Sequence, residues 1–257
     1  MRLAVLLIAA VATAAHAQPL FTDVPLANDA KITLTATWSK IVDSTYQLHE
    51  STDLYDLSPA KRTVTYHADD LTALLPENGD APVDGLYRLD PERVIRFMKQ
   101  FHPGARVHMH HGTGKGGGFA SLLGSGDRYD IAFRVHADFR IADGTWFTPA
   151  GFEGRLILDK KGRPLYLKIA LIDRNTNVDL NHAGMADIVY VPKMMLEGGD
   201  AKENHGRSFP RKKLARAFYP FLDIKWRPFA KAWPEASAAD QRLHVMVLFG
   251  TLDDESC

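Results

Sequence analysis

The chain has 257 residues, 31 basic and 31 acidic side chains, a formal net charge of zero and a single cysteine. That balance excludes the strong positive field by which nucleic-acid-binding domains hold phosphates. One cysteine excludes any disulfide within the chain, and the ordinary apolar fraction is enough for a packed core of one large or two smaller domains.

The first segment reads as an export signal. Arg2 supplies a positive start, Leu3 to Ala14 is apolar but shorter than the roughly 20 residues a membrane-spanning helix needs, and Ala15-His16-Ala17 has the small-x-small pattern of a cleavage site. The expectation is a signal peptide over 1–17, a mature chain from Gln18, no transmembrane span after cleavage, and export, most simply to a periplasm.

The next stretches are dominated by period two. Ile32, Leu34, Ala36 and Trp38 alternate with threonines and Ser39, which predicts a half-buried strand over Lys31 to Ser39. Asp90 to Phe101 is the clearest helix. Asp90 can cap it, Pro91 suits the first turn, Glu92 faces the positive end of the dipole, and Val94, Ile95, Phe97, Met98 and Phe101 make one apolar stripe. His102-Pro103-Gly104 ends it. From Tyr129 to Ile141, apolar residues share one face while Asp130, Arg134, His136, Asp138 and Arg140 share the other, again a strand. Phe152 to Leu158 and Leu165 to Ile172 flank Asp159-Lys-Lys-Gly162 and read as a hairpin. Ala186 to Val191 is a further strand, stopped by Pro192.

After Glu197 the composition changes. Gly198 to Gly206 is polar and aperiodic and reads as a loop or linker. A basic segment follows from Arg211 to Arg216, then aromatic residues from Phe218 to Trp233. Pro234 to Gln241 reads as a short helix, and Val245 to Phe249 as a strand covered on both faces.

Three clusters invite a site. His102, His108, His110 and His111 crowd one region, with His108 and His110 spaced to share a strand face as a metal pair. The spacing matches no named zinc motif, and no neighbouring Cys, Asp or Glu completes a tetrahedral set; surface histidines beside a flexible loop are expected, with no resident metal. Gly112 to Gly118 fails as a phosphate loop, because Met109 stands where the opening glycine belongs and Gly116 follows Lys115. Asp173 to Asp179 opens like a calcium loop, but Val178 and Gly184 occupy the places of the required Gly and Glu. A polar turn is expected there. There is no Gly-x-Ser-x-Gly elbow for a serine hydrolase.

Cys257 remains. A thiolate is a nucleophile, and a thiol at a helix N-terminus is acidified by the dipole. A thiol oxidoreductase also needs a second chalcogen to resolve its mixed intermediate.

The ending Leu248-Phe-Gly-Thr-Leu-Asp-Asp-Glu-Ser-Cys257 resembles the segment of the selenoprotein N family that precedes its selenocysteine, where the motif reads Ser-Cys-selenocysteine-Gly. Thr145-Trp-Phe-Thr-Pro-Ala-Gly-Phe-Glu-Gly-Arg-Leu-Ile-Leu158 is similar to that family's aromatic-Phe-Ser-Pro segment and following strand. Asn177-Val-Asp-Leu180 and Ile188-Val-Tyr-Val-Pro192 are similar to two later segments, in the same chain order. The resemblance implies an α+β protein: a β-rich domain over 18–206, then 207–257 as the incomplete start of a thioredoxin-like α/β domain that stops at a recoded UGA codon, leaving unpaired sheet edge and poor solubility. It implies thiol or selenol redox activity with Cys257 as the one catalytic residue in this chain, a disulfide-bearing protein or small oxidant as substrate, and no further cofactor. A periplasmic β-rich module that binds a ligand or a protein without catalysis is the alternative reading.

Overall fold

The structure, a computed structural model, describes residues 21–38, 42–43, 61–77, 80–101, 115–124, 126–140, 146–172, 178–182, 185–191, 193–200, 207–218, 227–243 and 245. It is β-rich with a few helices, an α+β arrangement; a thioredoxin-like unit is not among the elements described.

The alternating segments form the expected strands. Strand β2 (Lys31–Trp38) pairs antiparallel with β4 (Lys61–His67) on one side and with β13 (Met194–Gly199) on the other. Next to β13 lies β10 (Pro164–Leu171), then β9 (Trp146–Asp159), β8 (Arg128–Arg140), β7 (Lys115–Gly124) and the short β6 (Tyr87–Arg88). The first end of β9 also pairs with β11 (Val178–His182), which continues through β12 (Met185–Val191) to β3 (Val42–Asp43). A separate two-stranded ribbon joins β1 (Phe21–Asp23) to β5 (Asp80–Pro82). The hairpin between β9 and β10 turns at Gly162, whose φ of 77° a side chain would resist. Asp159 stabilises the turn by accepting from the Lys161 and Arg163 amides, both at 2.8 Å.

Register decides what each face carries. Ile131, Phe133 and Val135 of β8 lie opposite Leu156, Gly154 and Phe152 of β9. With Leu167 and Ile169 of β10, Leu196 of β13, Leu34 of β2 and Tyr66 of β4, they make one buried face. Helix α2 (Pro91–Lys99) closes it. Asp90 caps α2 by accepting from the Arg93 amide at 2.7 Å. Val94, Phe97 and Met98 point inward; Phe97 stacks on Tyr66 with centroids 4.5 Å apart, and Phe101 meets Phe97 and Phe152 edge-on. Below α2 come the single turns α1 (Ala68–Leu71) and a 3-10 turn at Thr72–Leu74. Replacing Asp90 with alanine is expected to cost about 1 kcal/mol of stability in thermal unfolding, whereas Asp90→Ser retains most of it.

Several expectations change. The glycines at 116–118 are not loop: with Lys115 they open β7. A Cβ on Gly116 would crowd the α2 backbone, meeting the Ile95 nitrogen and the Pro91 oxygen at 3.2 Å, so glycine there lets the helix lie directly on the strand. β13 runs through Gly199, into the stretch expected as loop from Gly198 to Gly206, of which 201–206 lie outside the described residues. The helix expected from Pro234 begins earlier, as α4 (Phe229–Ala238) with Pro234 inside it. Proline lacks one amide, and α4 has already formed its first bonds onto the Pro228 carbonyl before that point. Val245, expected in a doubly covered strand, is 60% exposed and outside any strand; 246–249 lie outside the described residues.

Candidate functional site

Cys257 lies outside the described residues, as do His102, His108, His110, His111 and Asp173 to Asn177. Among the described residues no group of three or more His, Cys, Asp or Glu side chains is placed to hold a metal ion. Nor, among them, is any helix long and apolar enough to cross a membrane. The chemistry that the structure does bring together is one that alternation in β8 only half discloses.

The second face of the sheet divides in two. Over β10, β13, β2 and β4 it is polar, with Thr33 and Thr65 hydroxyls 3.1 Å apart and the Tyr166 hydroxyl donating to Glu197 at 2.6 Å. Over β7, β8 and β9 it is buried although it is charged. Asp130 and Arg134 of β8, and Glu153 and Arg155 of β9, are each less than a tenth exposed. Arg134 stands directly opposite Glu153, with Nη1 and Oε1 3.5 Å apart, and Arg155 Nε lies 3.3 Å from Asp130 Oδ1.

What covers these charges is the segment read as merely basic. Helix α3 (Arg211–Phe218), with Arg207 just before it, crosses this face. Its contacts recur at 211, 214 and 218, the i, i+3, i+7 spacing of one helical face. Arg207 grips both carboxylate oxygens of Asp84 at 3.1 Å, while its carbonyl accepts from Arg155. Arg211 Nε donates to Glu153 Oε2 at 2.7 Å. Leu214 is fully buried against Leu123 and Ala132, with Phe119 and Phe209 around them. Phe218 meets Phe119 and His136 edge-on at 5.7 and 5.1 Å, and the Arg134 guanidinium lies 5.5 Å from its centroid. The Lys213 ammonium donates to the Asp84 carbonyl. Asp84 itself sits at φ 56°, in the left-handed region.

Burial pushes the Asp130 carboxyl above its ordinary range. Arg155, a hydrogen bond from the Arg207 backbone, Arg128 and the Arg207 side chain pull the other way without cancelling it. The phenols of Tyr66 and Tyr87 are pushed up by burial, and each donates to a carbonyl, of Phe97 and Leu74, at 3.1 Å. They stay protonated and serve packing. The layer can dock a helix through matched charge. The sequence signal for it was the pairing of a polar strand face with a helix carrying Arg, Leu and Phe at helical spacing.

Comparison with known proteins gives relatives of one kind. The chain is similar to selenoprotein N of Danio rerio, 27% identical over 270 residues that cover 77% of this chain and 48% of the relative. It is similar to selenoprotein N of Homo sapiens, 27% identical over 212 residues covering 64% of this chain and 36% of the relative; selenoprotein N of Mus musculus matches at the same identity. The chain thus spans about half or less of the length of these curated relatives. No protein-family model matches it, and no solved structure matches.

Proposed function

We propose that this chain, a distant homologue of selenoprotein N, is the thiol-bearing part of an exported oxidoreductase in which Cys257 is one member of a redox pair. The observation that carries the reading is the relationship to selenoprotein N over 64–77% of the chain. The Ser256-Cys257 ending, which resembles that family's redox motif, fits the same reading. On it, 207–257 leads into a thioredoxin-like unit, the β-rich part supports that unit, and the second member of the pair is the selenocysteine that the relatives' name describes.

The chemistry is thiol–disulfide exchange. A chalcogenolate attacks one sulfur of a substrate disulfide, forming a mixed bond and expelling the other sulfur as thiolate. The second member of the pair then attacks the mixed bond, expels the second thiolate and leaves the pair oxidised; an external dithiol returns two electrons to it. Cys257 alone stops at the mixed disulfide.

The test uses protein purified from cells that carry the native gene with its own downstream sequence. Selenium is expected in stoichiometric amount by elemental analysis. Dithiol-dependent reduction of a small disulfide is expected to be abolished by Cys257→Ser. Selenium-free protein, or disulfide reduction that survives Cys257→Ser, would overturn the reading, and protein that shows no disulfide reduction at all would favour a binding module without catalysis.

A further inference from the structure

Two separate sets of buried residues hold the described elements together. The larger lies between α2 and the sheet and runs through β2, β4, β7, β8, β9, β10 and β13. The smaller lies on the opposite face and consists of Leu123, Ala132 and Leu214. Leu214 is the one residue of α3 that is fully buried. Its other contacts described above are ionic or aromatic.

That ionic part adds little net grip. Arg207 and Asp84 are 61% and 64% exposed at their side chains, where water and salt screen the pair. Asp130, Arg134, Glu153 and Arg155 are buried by the docked segment, and charges lose hydration on burial that their mutual attraction only roughly returns. The Asp130 carboxyl is displaced upward by burial despite the arginines beside it, in keeping with that cost. Asp84, which receives both Arg207 and Lys213, is held in a backbone region that non-glycine residues visit seldom.

We propose that residues 207–218 are a releasable strap, which leaves the β7–β8–β9 face as one unit while the rest of the sheet stays folded. Release uncovers a face lined by two carboxylates, two guanidiniums and a small apolar patch, all of which hydrate at once. Docking is selective because Arg207, Arg211, Leu214 and Phe218 must meet Asp84, Glu153, the Leu123–Ala132 patch and the Phe119–His136 rings together. Such a segment opens by a local route of lower free energy than global unfolding.

Native-state hydrogen exchange on the full chain tests this. The amides of Leu214 to Phe218 are expected to exchange at least about tenfold faster than those of Ile131 to Val135, with little dependence on low denaturant. Leu214→Ala is expected to speed the strap amides by roughly a further tenfold and Arg211→Gln by less than about fivefold, with the strap amides still exchanging faster than those of β8 in each variant; the exposed Lys212→Gln changes neither. Strap and β8 amides that exchange at one rate, with one denaturant dependence, would overturn the proposal. The wild-type comparison alone decides it if a variant fails to fold.

Discussion

Glu153→Ala is expected to lower the unfolding free energy by about 3–5 kcal/mol, a large share of the roughly 5–15 kcal/mol that holds an ordinary domain folded. Glu153 stands at the centre of the charge layer, with Arg134 Nη1 3.5 Å from one oxygen and Arg211 Nε 2.7 Å from the other. The two arginines differ in what they lose. Arg211 is 65% exposed and returns to water when its partner is removed. Arg134 is 4% exposed, beside the Phe218 ring, and keeps its charge there when the Glu153 carboxylate is removed. Arg211→Ala is therefore expected to cost about 1 kcal/mol or less. Replacing both buried partners, Arg134→Leu with Glu153→Leu, recovers most of the loss, since the two opposed buried charges leave together. Urea unfolding of the four proteins measures it, with midpoints shifting at unchanged slope. Equal losses for Glu153→Ala and Arg211→Ala would show that Arg134 does not depend on Glu153.

The same residues show where sequence reasoning reached and where it stopped. The alternation from Tyr129 onward is enough to place β8 and its apolar face. It is not enough to say that Asp130 and Arg134 are buried, because a polar strand face looks the same whether water or a helix lies on it. The covering segment is distant in the chain, and Arg211 to Arg216 declares only its charge. Asp90, Pro91 and the Val94–Phe97–Met98 stripe are local signals, so α2 is legible almost to the residue. Gly116 is the opposite case. Glycine weakens a strand by itself, and its reason for being there is a helix backbone close above it. Pro234 misled for a similar reason: the rule that places proline at helix starts is statistical, and α4 absorbs one missing amide. The thiol at Cys257 is legible as chemistry, and its place in three dimensions lies outside the described residues.

Phe97→Ala is the second large effect, expected at about 3–5 kcal/mol, as for truncation of a buried aromatic ring. Phe97 is fully buried and joins three elements: it stacks on Tyr66 of β4 at 4.5 Å, meets Phe101 edge-on at 6.1 Å, and through Phe101 reaches Phe152 of β9 at 5.6 Å. Removing the ring takes transfer free energy from the core and leaves a void between α2 and the sheet, which a well-packed interior fills only in part. The backbone bond at that site survives, because the Tyr66 hydroxyl donates to the Phe97 carbonyl, not to its side chain. Tyr66→Phe separates the two contributions. It keeps the stack, removes the hydroxyl at 3.1 Å from that carbonyl, and is expected to cost only about 1 kcal/mol, since the carbonyl still accepts from the Gln100 amide. Urea unfolding of both variants gives the comparison. A loss for Phe97→Ala no larger than that for Tyr66→Phe would mean that α2 is held by its cap and its polar contacts, and that the aromatic chain from β4 to β9 is not what closes the core.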